Sequence, residues 1–130
     1  MLDILLDSYK EVFFWIQGQE DLAYLRELGY EKKVHIVPSI LKEYDKILQC
    51  KDLDYVGTRL HAGIRAMNMS HRSIIISIDN RAECIAKDTG LPIILREDIP
   101  IYLKDQIFQS FKTEIKLPWK NIKRWKEQFN

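Results

Sequence analysis

Five short apolar runs, rich in Val, Ile and Phe, alternate along the chain with stretches of helical periodicity. Runs that are apolar on both faces and separated by helices are typical of a parallel sheet covered by helices on both sides. The pattern predicts an α/β fold, a Rossmann-like three-layer domain whose parallel sheet has about five strands. The five runs are Val12–Ile16, Val34–Val37, Leu53–Val56, Ile74–Ile78 and Ile93–Leu95.

The length and the helix signals predict one domain. The chain has 130 residues and shows no linker, repeat or low-complexity segment, so we expect a single domain over residues 1–130. Gly29 and Gly90 are placed to end helices, and Ser39 and Asn80, the latter with Glu83 three residues on, are placed to cap them. After Arg96 the alternation stops, and residues 97–130 are expected to form a helical C-terminal extension.

Charge and cysteine content exclude several classes of protein. The formal net charge is +1, so no field of the whole molecule points to nucleic acid, and any anion site must be local. Cys50 and Cys84 fall in predicted helices without zinc-site or disulfide spacing, and buried free thiols are expected. No apolar run approaches a membrane span and no signal peptide is visible, which favours a cytoplasmic location.

The segment Val56–Ala66 reads VGTRLHAGIRA and is the strongest candidate for a functional site. A strand is predicted to turn through Gly57 and Thr58 into a helix, with Thr58 as its N-cap. Arg59 could hold a carboxylate or phosphate in a fork, beside His61 and the free N–H groups of the helix start. The equally weighted alternative is that Arg59 pairs with Asp54 or Asp79 and that His61 is a surface residue.

A second group of polar residues, Asp79, Asn80 and Arg81, follows the fourth apolar run. Turn formation and capping are the main expectation for Asp79 and Asn80, and ligand contact by Arg81 or the helix start is the alternative. His71 precedes the same run, at the amino end of the strand, and is interpreted as structural. His35 lies inside a strand and is expected to be packed.

The C-terminal segments Ile101–Phe111 and Trp119–Phe129 both look helical, and the second combines an aromatic stripe with many lysines. Docking on the domain with a solvated basic face is the plainer interpretation. The sharper one is contact with an anionic membrane surface, at the inner face of the membrane, or with a lipid-linked acceptor.

The stretch Leu53–Pro92, with DYVGTRLHAGIRA followed by SIIISIDNRAECIAKDTGLP, resembles the C-terminal half of the polysaccharide pyruvyl transferases. These enzymes are similar in architecture to two-domain GT-B glycosyltransferases. The shared elements are the G-T-R-L-H-x-G/A run at a strand-to-helix junction, and a following strand that ends in an aspartate before a helix finishing Gly-Leu-Pro. The strand and helix pattern extends the resemblance back to about Val12.

The resemblance implies transfer of a pyruvyl group from phosphoenolpyruvate to two hydroxyls of a sugar, as a ketal, in exopolysaccharide or cell-wall polysaccharide synthesis. The acceptor would be a sugar or a lipid-linked saccharide. Arg59 and His61 match the family's donor-associated arginine and histidine, as an anion clamp and as a phosphate contact or general acid. The resemblance implies no cofactor and no metal. The expected substrate-binding residues are Thr58, Arg59, Leu60, His61, Asp79 and Asn80.

The family has an N-terminal domain to which nothing here corresponds. We therefore expect this chain to be the donor-binding half, to need an N-terminal domain or a partner subunit, and to show little or no catalysis alone. Two alternatives remain open: a nucleotide-sugar domain of a GT-B glycosyltransferase, and a non-catalytic module that binds a partner through its bare face.

Overall fold

The computed structural model describes residues 1–129, which contain seven α-helices and five β-strands. The helices are α1 (Leu2–Ser8), α2 (Gln19–Glu27), α3 (Leu41–Cys50), α4 (Leu60–Asn68), α5 (Asn80–Thr89), α6 (Ile99–Phe108) and α7 (Trp119–Glu127). The strands are β1 (Phe13–Trp15), β2 (His35–Val37), β3 (Asp54–Gly57), β4 (Arg72–Ser77) and β5 (Ile93–Leu95). Short 3-10 turns occupy Glu31–Lys33 and Arg96–Asp98.

All strand pairs are parallel, which confirms the predicted α/β class with parallel pairing. The strands form two sheets, one with the order β1-β2 and one with the order β3-β4-β5. The predicted single sheet of about five strands is therefore not what forms, although every predicted run overlaps a strand. Apolar runs indicate where strands lie, but the choice of hydrogen-bonding partner is a tertiary property that local pattern does not contain.

Chain contacts divide the molecule into two compact units. The first comprises Met1–Leu53 with Ile99–Gln109, and the second comprises Asp54–Asp98 with the segment that starts at Ser110. The expected C-terminal extension is thus split, because α6 belongs to the first unit and α7 to the second. The prediction of one domain over residues 1–130 stays a prediction.

The first unit contains β1, β2 and the helices α1, α2, α3 and α6. Helix α1, which sequence analysis did not predict, packs against α6, and Leu5, Leu103 and Ile107 are buried. The ring of Trp15 stacks on that of Tyr44 with the centroids 4.1 Å apart.

The second unit is built around β4, whose Ile74, Ile75 and Ile76 are all at most 2% exposed. This strand is buried on both faces, as its continuous apolar run predicts. The Ile75 side chain belongs to a cluster with residues of α4, which precedes β4, and of α5, which follows it, so these two helices cover the same face of the sheet. The cluster residues from those helices are Leu60, Met67, Ala82, Ile85 and Ala86.

Four residues of the segment after Ser110 contact the rest of the second unit. The guanidinium of Arg72 lies over the ring of Phe111, 4.9 Å from its centroid. The Thr113 hydroxyl accepts from the Ser73 N–H at 2.9 Å and donates to the Ser73 carbonyl at 3.1 Å. Ile115 packs on the Ile75 cluster, and the Lys116 N–H donates to the Thr89 carbonyl at 2.7 Å.

The helix ends predicted at glycine are confirmed, since Gly29 and Gly90 follow α2 and α5 with φ of +76° and +70°. The N-cap predicted for α3 is wrong by one residue. Helix α3 is capped at Ile40 rather than Ser39, because the Ile40 carbonyl accepts the first helical N–H groups. Helix α5 is capped by Asp79, which confirms one of the two capping residues expected there, whereas Asn80 is its first helical residue.

Both cysteines lie in helices and are free, but they are exposed, so the expectation of buried thiols is wrong. In α5 the sheet-facing positions are Ala82, Ile85 and Ala86, which turns Cys84 towards solvent. Cys50 is the last residue of α3, beyond its buried stripe. None of the helices within residues 1–129 is long and apolar enough to cross a membrane.

Candidate anion-binding site

The connection from β3 to α4 consists of Thr58 and Arg59. Arg59 is the N-cap residue, with φ −85° and ψ 95°, so the predicted N-cap at Thr58 is wrong. The Arg59 carbonyl accepts the N–H groups of Ala62 at 3.1 Å and Gly63 at 3.2 Å. The helix starts one residue later than the sequence indicates, and no side-chain hydrogen bond caps it.

Tyr55 fixes this connection from the side of the strand. Its hydroxyl donates a hydrogen bond to the Arg59 carbonyl at 2.9 Å. A Cβ atom at Gly57 would lie 2.7 Å from that hydroxyl oxygen, and a Cβ atom at Gly63 would lie 3.0 Å from the ring. The two glycines of the motif therefore leave room for the ring of Tyr55.

Gly63 also brings α4 close to the central strand. A Cβ atom there would lie 2.2 Å from Cδ1 of Ile75, and the Gly63 carbonyl accepts from the buried Ser73 hydroxyl at 2.8 Å. The glycine thus serves the packing of helix on sheet. Backbone and core contacts hold the start of α4, and the outer side of this helix start is exposed to solvent.

The residues at this helix start divide into two groups. The side chains of Arg59 and His61 are exposed, whereas Leu60 turns inwards and packs on the Ile75 cluster. The Leu60 and His61 N–H groups lie in the first turn, where no helical carbonyl precedes them. An anion placed here would meet two backbone donors, the Arg59 fork and the His61 imidazole, while Leu60 would contribute its backbone alone.

The start of α5 lies after the neighbouring strand. Asp79 is its N-cap, and its carboxylate accepts from the Arg81 backbone N–H at 3.0 Å and from the Arg81 guanidinium Nε at 3.0 Å and Nη2 at 2.6 Å. The side-chain hydrogen bonds from Arg81, then the backbone one, lower the pKa of Asp79, and the carboxylate raises the pKa of Arg81. Asn80, the first residue of the helix, is exposed.

The two helix starts share one edge of the sheet. β3 and β4 are parallel neighbours, with Gly57 opposite Ile75, and α4 and α5 each follow the carboxyl end of their strand. Adjacent strands lie about 4.8 Å apart. The predicted site residues Thr58–His61 and Asp79–Asn80 are therefore brought to the edge at which α/β sheets bind ligands.

The two carboxylates proposed as alternative partners of Arg59 each bind another arginine. Asp54 accepts two hydrogen bonds from Arg72, one of them from Nε at 2.9 Å, at the amino ends of β3 and β4. Asp79 accepts from Arg81, as described above. His71 immediately precedes Arg72 at that amino edge, where the sequence places it.

Two further residues depart from expectation. His35 is exposed rather than packed in the core, and its ring stacks on Phe13 at 4.9 Å with Nε2 3.5 Å from Glu11. Tyr55 was not identified from the sequence, although its position two residues before Gly57 puts it on the same face of the strand. That spacing is the signal that could have found it.

Within residues 1–129, no group of three or more His, Cys, Asp or Glu side chains is arranged to hold a metal ion. Comparison of the chain with protein-family models, with curated proteins and with solved structures gives no match.

Proposed function

We propose that this chain is the donor-binding half of a polysaccharide pyruvyl transferase, which moves pyruvate from phosphoenolpyruvate onto a sugar as a ketal. The observation that carries the proposal is the start of α4, where the exposed residues Arg59 and His61 flank the first turn of the helix after the carboxyl end of β3. This geometry supports binding of an anion. The resemblance of Leu53–Pro92 to the family supplies the identity of that anion.

The chemistry of the donor suits these residues. Phosphoenolpyruvate carries a carboxylate and a phosphate, and a guanidinium fork can hold either group with two parallel hydrogen bonds. Ketal formation adds a proton to the enol methylene carbon, forms two C–O bonds to the sugar hydroxyls and releases inorganic phosphate. In this proposal Arg59 clamps the donor, and His61 contacts the leaving phosphate or donates the proton.

The second helix start completes the donor site in the proposal. Asp79 holds the Arg81 guanidinium at the start of α5, beside the end of β3. Asn80 and the first-turn N–H groups of α5 would meet the anionic group that Arg59 does not clamp. Thr58, half-buried in the connection, would line the site between the two helices.

The proposal includes the wider architecture that the family implies. The domain would be Rossmann-like and of the GT-B type, and an N-terminal domain or a partner subunit would supply the acceptor side of the cleft. The reaction would take place in the cytoplasm, on a sugar or a lipid-linked saccharide of an exopolysaccharide or cell-wall polysaccharide. Without that second half, we expect donor binding but little turnover.

A titration followed by amide NMR shifts tests the donor site directly. Phosphoenolpyruvate is added to the chain, with UDP and inorganic phosphate as comparators, and Arg59→Ala is examined beside Arg65→Ala. The control removes an equal charge from the last turn of the same helix. We expect saturable shifts clustered at residues 57–63, strongest for phosphoenolpyruvate, lost in Arg59→Ala and retained in Arg65→Ala.

Other outcomes would replace the proposal. A stronger response to UDP would favour a nucleotide-sugar domain of a GT-B glycosyltransferase, because a helix start receives a diphosphate equally well. Equal shifts with all three anions would indicate a general phosphate site. No shift near α4 with any ligand would favour a non-catalytic module that binds a partner.

A further inference from the structure

The C-terminal helix α7 is amphipathic, and none of its residues is buried. Trp119, Ile122, Trp125 and Phe129 recur at three- and four-residue intervals, which places them on one face of the helix. The exposed fractions are 66% for Trp119, 59% for Trp125 and 71% for Phe129. Leu117, just before the helix, is also exposed.

Two aromatic side chains of this face pack on each other. The rings of Trp125 and Phe129 meet edge to face with their centroids 4.9 Å apart. A contiguous exposed apolar face bordered by charged residues marks an interaction surface. We call the residues Leu117, Trp119, Ile122, Trp125 and Phe129 the aromatic face.

Positive charge is concentrated in the same part of the chain. Residues 112–130 contain six Lys or Arg and two Asp or Glu, whereas residues 1–111 contain 14 and 17. The near-neutral net charge of the chain is therefore the sum of a basic C-terminal segment and an acidic remainder. The cations of α7 itself are Lys120, Lys123, Arg124 and Lys126, against the single acid Glu127.

The position of Lys126 favours a lipid surface over a protein as the partner of the aromatic face. Lys126 follows Ile122 by four residues and Trp119 by seven, so it shares the aromatic face. Lysine is depleted in the cores of protein interfaces, because its charge would lose water there. At a bilayer surface its aliphatic stem can lie along the apolar face while the ammonium group reaches the phosphates.

We propose that α7 binds the surface of a bilayer that contains anionic lipid. The aromatic face would enter the boundary between headgroups and acyl chains, where tryptophan is favoured, and the basic side chains would meet the lipid phosphates. The helix has nine residues and a length of about 14 Å, so it lies in the plane of the interface. This inference does not rest on the proposed donor chemistry.

Vesicle flotation with the full chain tests the proposal. Vesicles of phosphatidylcholine alone are compared with vesicles of phosphatidylcholine mixed with phosphatidylglycerol. We expect at least about tenfold stronger partitioning onto the anionic vesicles, since each basic residue near a charged surface favours binding. Partitioning should fall as salt is raised, because salt screens the attraction.

Two pairs of matched variants separate the basic and the aromatic contributions. Lys120→Glu with Lys123→Glu is compared with Lys32→Glu with Lys42→Glu, at exposed lysines of the first unit. Trp119→Ala with Trp125→Ala is compared with Tyr24→Ala with Tyr102→Ala, at exposed aromatics elsewhere. Both α7 variants should lose about tenfold or more in partitioning, and both controls should bind like the natural chain.

Three results would overturn the proposal. The first is equal partitioning onto neutral and anionic vesicles, and the second is unchanged partitioning of both α7 variants. The third is a natural chain that does not bind vesicles but forms dimers in sedimentation velocity, with Trp119→Ala and Trp125→Ala making it monomeric. That result would assign the aromatic face to a second copy of the chain.

Discussion

Tyr55 occupies the space that Gly57 and Gly63 leave free where β3 runs into α4. A motif that reads as a ligand loop in the sequence is therefore also a packing device. The Tyr55 hydroxyl donates a hydrogen bond to the Arg59 carbonyl, which accepts the first helical N–H groups of α4. The exposed Arg59 and His61 therefore lie at a helix start whose backbone is held in place. Backbone fixed in this way would need less ordering in the proposed binding of an anion.

Replacing Gly63 tests this packing. Gly63→Ala should lower the free energy of unfolding by about 1 to 3 kcal/mol, because its Cβ would meet the buried Ile75 Cδ1 at 2.2 Å. That loss would outweigh the roughly 1 kcal/mol that alanine contributes to a helix. Urea denaturation followed by circular dichroism measures the change. Ile75→Val removes Cδ1, so Gly63→Ala should cost less in that background, and an equal cost in both backgrounds would contradict the clash.

The Tyr55 hydroxyl can be removed while its ring is kept. Tyr55→Phe should lower the free energy of unfolding by about 0.5 to 1.5 kcal/mol, because it removes the donor to the Arg59 carbonyl. Tyr24→Phe, at a tyrosine that is 61% exposed, is the control and should be close to neutral. Equal effects of the two substitutions in thermal or urea unfolding would argue against a specific role for this hydrogen bond.

At the level of elements, the start of α5 is organised by its N-cap Asp79 and by Arg81, whose guanidinium donates to the Asp79 carboxylate. The lowered pKa of Asp79 means that its carboxylate prefers the folded chain in the charged form. Its contribution to stability is therefore present above a pH of about 3.8, the ordinary value for the carboxyl, and is lost as the pH falls through the lower folded pKa.

A titration of the Asp79 carboxyl carbon by NMR checks the sign of this effect. In the natural chain the midpoint should lie below 3.8, the pKa of an unperturbed carboxyl. In Arg81→Ala it should rise towards that value, because the main cause of the shift is the hydrogen bond from the Arg81 side chain. Arg124→Ala, on α7, should leave the midpoint unchanged. A midpoint that does not respond to Arg81→Ala would refute the proposed cause.

On the scale of the whole molecule, each compact unit is assembled from two separated stretches of chain. In the second unit, Thr113 binds both the N–H and the carbonyl of Ser73 and so joins the later stretch to the central strand. Ser73 is fully buried, so its backbone N–H and carbonyl need hydrogen-bond partners within the protein, and the Thr113 hydroxyl is a partner of both.

Thr113→Val keeps the shape of the side chain but removes both hydrogen bonds. We expect the free energy of unfolding to fall by about 1 to 3 kcal/mol, because two buried polar groups of Ser73 lose a partner. Thr113→Ser keeps the hydroxyl and should cost clearly less. Chemical denaturation of the three proteins measures the difference, and equal stability of the valine and serine variants would show that the hydroxyl does not tether the segment.

Much of the local structure was predictable because its causes are local. The apolar runs around β1–β5 are strands, Gly29 and Gly90 follow the ends of α2 and α5, and the VGTRLHAGIRA segment does cross from a strand into a helix. These features depend on side-chain periodicity and backbone freedom within a few residues. The same local strand-to-helix signal is what singles out Arg59 and His61 as candidate site residues.

The sequence by itself determined the order of the strands and helices after α1, the parallel α/β class and the approximate position of the two helix starts. Only the tertiary structure decided which strands share a sheet, which residues cap α3 and α4, and which unit contains α6 and α7. Strand partners and contacts such as Tyr55 with Arg59 or Thr113 with Ser73 depend on residues brought together by folding. Packing and hydrogen-bond energies between residues that are distant in the sequence select these contacts. The periodicity of the sequence does not contain that information.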